Sequence, residues 1–174
     1  MPSLHDLAIA QRIQSEITAL GLSRKQEQKA RAPAPQDYVG FYDGLISSEP
    51  LRSATKKLYV DGHYARAVEE AYKCLNNTVQ VKAGLSLDGA DLMQQVFSEK
   101  NPVLKFNDLR TESQRNEQVG YMMILAGCMR GIRNPRAHDY KLWDSPDVAL
   151  ELLVLGNQLM RMVAKSKRSR QRKR

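Results

Sequence analysis

An all-α fold, a four-helix up-down bundle with an extra N-terminal helix and a disordered basic C-terminal tail, is predicted by three observations. Apolar residues recur at helical spacing through several long stretches. Aromatic residues make up only 6% while hydrophobic residues reach 42%, a balance set by Ala, Leu, Val and Met rather than by strand formers. The breaks between stretches carry helix start and stop signals rather than hairpin turns. With 174 residues, about one domain's length, and 26% charged residues, wholesale disorder is excluded.

Residues 3–28 predict a first helix, with Ile9, Ile13, Ile17 and Leu20 on one side and Gly21 interrupting it. Ala32-Pro33-Ala34-Pro35 ends any helix and makes a short stiff linker, so residues 1–37 form an appendage. The main domain, residues 38–164, begins near Tyr38. Ser48-Glu49-Pro50 opens a helix with proline where a missing N–H is harmless, and Asp61-Gly62 closes it. The next helix spans residues 63–82. Val68, Tyr72, Leu75 and Val79 form one stripe, and Ala67, Ala71, Cys74, Thr78 and Val81 form a small-residue stripe beside it. An apolar face so wide belongs to a central helix, and the two-residue turn makes these two helices antiparallel neighbours.

Residues 84–107 read as a long connection with a short helix at 91–97, packed down by Leu92, Phe97, Leu104 and Phe106. Thr111 opens a third long helix, with Gln114 placed for a capping box. It runs to about Ile132 with Val119, Met122, Ala126 and Met129 on one stripe and Tyr121, Leu125, Cys128 and Ile132 on another. Asp144-Ser145-Pro146 starts the fourth, whose stripe is Val148, Leu152, Leu155, Leu159 and Met162. No repeat and no strand is expected.

The net charge of +8 is a property of the tail: residues 165–174, KSKRSRQRKR, hold seven Lys or Arg and no acid, so the body is near +1. Such a tail binds RNA or DNA phosphates in a salt-dependent, sequence-blind way, or simply keeps the chain in solution. Without an interleaved aromatic it does not stack bases. Cys74 and Cys128 are isolated and read as reduced, buried thiols. The chain has no membrane-length apolar run, and MPSLHDLAIAQRIQ lacks the order of a signal peptide. A cytoplasmic protein without membrane association is the expectation.

Most chemistry is excluded by what the chain lacks: a Gly-rich phosphate loop after a strand, a GxSxG elbow, or His and Cys at metal-ligand spacing. No metal and no cofactor are expected. Residues 133–139, RNPRAHD, remain. The stripe Val119, Met122, Ala126, Met129 next lands on Arg133, an arginine at the end of a core stripe that needs an acid, a carbonyl or an anion. His138, five residues on, points about 140° away on an ideal helix, and a break at Pro135 would let both face one cleft. Asn134 adds a donor and acceptor, and Arg136 a second cation. An arginine for phosphate and a histidine for proton transfer suit a metal-free phosphodiesterase. A basic helix C-terminus complementing the dipole before a proline stop is the other reading.

The arrangement of an arginine, a polar residue, three more residues and a histidine at the end of a third helix resembles the HEPN superfamily. The stretch NPVLKFNDLRTESQRNEQVGYMMILAGCMRGIRNPRAHD at residues 101–139 is similar to its Ymh-type branch, and HYARAVEEAYKCLNN at residues 63–77 to its second helix. The likeness covers roughly residues 50–165. It implies a HEPN-like bundle acting as a homodimer and as a metal-independent endoribonuclease of toxin–antitoxin or abortive-infection type. Arg133 and His138 would be the catalytic pair and Asn134 the polar residue after the arginine, with two motifs sharing one cleft across a two-fold axis. His138 would move the proton of an RNA 2′-OH or of the leaving 5′-oxygen, and Arg133 would stabilise the phosphorane. A cyclic phosphate results, so DNA is not cut.

Arg136, Lys167, Arg168, Arg170, Arg172, Lys173 and Arg174 would hold substrate RNA. Glu69 and Glu70 would support Arg133 or His138, or else lie on a solvated face. Tyr121, Met122, Met123 and Met129 cannot all face inward, so part of that helix is a dimer surface or the core is unusually wide. An antitoxin or another defence protein is the expected partner. The rival reading is a non-catalytic HEPN module that binds nucleic acid or a partner in a defence or restriction system.

Overall fold

A computed structural model describes residues 33–169. The expected helix over residues 3–28 lies outside the described residues, as do Arg170, Arg172, Lys173 and Arg174. The described chain is mostly helical: α1 (Gln36–Leu45), α2 (Glu49–Val60), α3 (Tyr64–Ala83), α4 (Gly89–Val96), α5 (Glu112–Cys128), a π-turn (Met129–Arg133), α6 (Asn134–His138) and α7 (Pro146–Lys165). A two-residue antiparallel ladder pairs β1 (Leu104–Lys105) with β2 (Lys167–Arg168).

The starts and stops follow the sequence signals. Pro50 sits in the first turn of α2 after Ser48, and α3 ends on Gly84 with φ 66°, a left-handed conformation suited to glycine. Thr111 and Gln114 form the expected capping box, each side chain meeting the other's backbone N–H. The stripe Val68, Tyr72, Leu75 and Val79 is fully buried, which makes α3 the central helix. It packs against α2, α4, α7, the π-turn and α6. Helix α5 packs chiefly on α4, so most of its length stands at the side of the domain.

Buried polar side chains bolt the connections down. Asn157 on α7 accepts from the N–H of Ser47 and Ser48 and donates to the Leu45 carbonyl, joining the end of α1 to the start of α2. Gln118 on α5, fully buried, donates to the carbonyls of Phe97 and Leu104 and accepts from the N–H of Phe106. Those three bonds pin the 97–106 connection, where Phe97 stacks on Phe106 with ring centroids 4.6 Å apart.

Three expectations are corrected. The expected stripe of α7 is only partly the buried one: Leu159 is buried and Leu152 packs against the core, but Val148 and Leu155 are exposed, while Ala149, Leu153, Gly156, Met160 and Val163 face the core. Both faces of α7 are apolar, and the small residues decide between them. A Cβ at Gly156 would meet the Tyr72 ring at 3.8 Å, so α3 and α7 approach where α7 is thinnest. The small-residue stripe of α3 also ends in solvent, with Val81 84% exposed.

The tail, expected to be disordered, is ordered through Ser169. Ser166 is buried, Lys167 and Arg168 pair with β1, and the Ser169 N–H donates to the Val103 carbonyl. The Arg168 guanidinium donates to the Ala83 carbonyl at the end of α3, and Lys82 donates to the Val163 and Ala164 carbonyls at the end of α7. Each of the two parallel helix ends is thus capped by a cation from beside the other, where the dipole favours positive charge. Among the described residues no helix is long and apolar enough to cross a membrane.

Candidate active site

The end of α5 is built around a missing donor. Pro135 has no N–H, and its ring would crowd the carbonyl four residues back in a regular helix. The chain does not break there, contrary to the sequence expectation. It widens one turn earlier into the π-turn, where the Asn134 N–H bonds the Met129 carbonyl, and then resumes as α6 through His138. Pro135 therefore sits in the first turn of α6, the position in which a helix tolerates it best.

Met129 is fully buried, and the stripe carries on to Arg133 as its spacing requires. The Arg133 side chain is 19% exposed, and its Nη1 donates to Asp88 Oδ2 at 2.8 Å. Its Nε is buried and has no hydrogen-bond partner among the described residues. The acid that the sequence demanded is therefore Asp88, just before α4. Asp88 is itself held by Asn76 of α3, which donates from Nδ2 to its Oδ1 at 2.7 Å and accepts from the Gly89 N–H at 2.9 Å.

His138 and Asn134 are both exposed. They lie four residues apart on α6 and so share one face, one turn from each other. Because residues 133–138 stay helical, Arg133 and His138 leave the axis about 140° apart, with roughly 7.5 Å of rise between their Cα atoms. A single chain thus anchors the arginine against α4 and presents the histidine and asparagine to solvent.

Arg136, Glu69, Glu70, Lys167 and Arg168 have contacts of their own. Arg136, expected to touch substrate, is only 8% exposed and forms a bidentate pair with Asp144, itself 6% exposed, at 2.7 and 2.6 Å. Its Nη1 also donates to the Ile132 carbonyl at 2.9 Å, so it ties α6 to the residue before the Ser145 cap of α7. Glu69 and Glu70 are paired with Arg66 and Lys73 on their own helix; the acid on Arg133 is Asp88 instead. Lys167 and Arg168 are built into the β ladder, with Arg168 engaged at Ala83.

Behind the motif, Tyr72 donates to the Leu152 carbonyl, and burial together with the neighbouring Cys128 thiol pushes its phenol far above the usual range. Burial likewise raises the Cys128 and Cys74 thiols, which favours their protonated form. Among the described residues no three His, Cys, Asp or Glu side chains gather closely enough to hold a metal ion. Sequence reasoning missed Asp88, Asn76 and Asp144 as members of this region. Asp88-Gly89 and Asp144-Ser145 carried only turn and cap signals, and their arginine partners are set by tertiary packing.

Fold and site define a mostly helical protein that presents an Arg-Asn-Pro-Arg-Ala-His turn on a short helix beyond a π-turn. Over residues 48–163 the chain matches the family described as Protein of unknown function (Hypoth_ymh), and it belongs to that Ymh family. No curated protein and no solved structure matches it.

Proposed function

We propose that this protein is a metal-independent endoribonuclease of the HEPN type, acting as a homodimer in a toxin or abortive-infection system. The observation that carries the reading is the division of labour at the end of α5. Arg133 is a guanidinium paired with Asp88, while His138 and Asn134 are exposed on one face of α6. A phosphodiester needs both kinds of group, a placed cation for the phosphorane and an accessible imidazole for the proton.

In one chain Arg133, at the end of the π-turn, and His138, at the end of α6, leave the helix axis on different sides, which favours a cleft completed by a second copy. Helix α5 and the π-turn after it offer a surface for it. Met123 is 62% and Ile124 45% exposed, and a Cβ added at Gly120, Gly127 or Gly131 would meet nothing within 4 Å. Two such helices can approach closely beside the two motifs. His138 takes the proton from the 2′-OH or returns one to the leaving 5′-oxygen. Arg133 stabilises the pentacovalent phosphate, and RNA is left with a 2′,3′-cyclic end. An antitoxin or another defence protein would restrain the activity.

The test is incubation of the protein with mixed RNA in EDTA beside Arg133→Ala and His138→Ala of verified fold. Cleavage by the wild type alone supports the reading. A non-catalytic nucleic-acid- or partner-binding module is favoured by one observation: both motif arginines already have acidic partners, Asp88 and Asp144. RNA binding that disappears when residues 170–174 are removed, and is untouched by His138→Ala, would select that module.

A further inference from the structure

We infer that Asp88, set in place by Asn76, is the positioning residue for Arg133. The inference rests on the reading of Arg133 as the phosphate-stabilising group. Arginine has a long side chain whose head takes one orientation only when something holds it. Among the described residues, Asp88 is the side chain that holds this head, through Nη1 alone, since Nε is buried without a partner.

Asp88 has partners on both carboxylate oxygens, although it is 56% exposed. Its two carboxylate oxygens have separate tasks: Oδ1 accepts from Asn76, which is 1% exposed in the central helix, and Oδ2 accepts from Arg133. Asn76 also takes the Gly89 N–H, and Gly89 has φ 63°, where a side chain would be strained. The carboxylate is thereby fixed to α3 from one side and to the start of α4 from the other. A one-nitrogen contact steers the guanidinium yet leaves further N–H groups of its fork for a phosphate.

This arrangement separates rate from affinity. Asp88 is an anion beside the phosphate site, so removing its charge cannot weaken RNA binding electrostatically. Asp88→Asn frees Arg133, and the single-turnover cleavage rate falls about ten- to a hundred-fold while RNA affinity holds or tightens. In nitrogen-15 NMR the wild-type Arg133 guanidinium, assigned by its loss in Arg133→Lys, shows resolved resonances of slow rotation. These collapse in Asp88→Asn and return in part in Asp88→Glu, which keeps the charge.

Unchanged guanidinium resonances in Asp88→Asn would overturn the proposal. So would a parallel loss of rate, RNA affinity and helix content, which marks a merely structural residue. Collapse of the resonances in a protein whose wild type cuts no RNA would support Asp88's hold on Arg133 and defeat the ribonuclease reading separately.

Discussion

Replacing Arg136 by alanine tests whether the second motif arginine is structural. The side chain is nearly sealed, and its removal takes away two charge-assisted bonds to Asp144 and one bond to the Ile132 carbonyl. The Asp144 carboxylate, 6% exposed, then stays buried without its cation. Breaking one partner of a buried pair costs about 3–5 kcal/mol, well above the value of a surface ion pair. For a chain of this size that is a fall of about 10 °C in melting temperature. Circular dichroism melts measure it, with RNA binding by fluorescence anisotropy below the transition as the second readout. The double variant Arg136→Met/Asp144→Leu removes both charges and should recover most of the loss. An Arg136→Ala protein that melts with the wild type but binds RNA weakly would refute the assignment and return Arg136 to the substrate.

Three other outcomes follow from the fold. Gln118→Met takes the side-chain partner from two buried carbonyls and one half-buried N–H, a loss of about 3 kcal/mol, and hydrogen exchange at the Phe106 N–H should accelerate. Ending the chain after Ser166 removes β2 and the cap on Ala83, and should lower stability by about 1–2 kcal/mol in urea relative to a chain that ends after Ser169. Burial raises the phenols of Tyr42, Tyr59 and Tyr72 in the folded state, so their contribution is complete below about pH 10 and is lost as pH climbs toward the folded values. The tyrosinate absorbance of these three buried phenols should therefore appear together with alkaline unfolding rather than before it.

What was legible in the sequence is what local chemistry decides. The α3 core stripe, the glycine stop at residue 84 and the Thr111–Gln114 box all follow from neighbours within a turn or two. Arg133 was legible too, because a core stripe that runs into a guanidinium announces a buried cation. Its partner was not, because Asp88 lies 45 residues away and carries no periodic signal. The face of α7 was ambiguous for a different reason: both stripes are apolar, and only the fit of Gly156 to Tyr72 selects one. A two-residue ladder is too short for alternation to reveal, so the tail read as free. Pro135 read as a stop because the π-turn that absorbs it has no composition of its own.

The most direct measurement mixes two inactive proteins. Arg133→Ala and His138→Ala are each incubated with RNA in EDTA, alone and after subunit exchange, beside the wild type. If one cleft is shared across a two-fold axis, the mixed dimer still holds one Arg133 and one His138. The wild type should then leave 2′,3′-cyclic phosphate ends, each variant alone should leave RNA intact, and the exchanged mixture should regain cleavage. Intact RNA with the wild type, or equal cleavage by all of the proteins, would contradict the account.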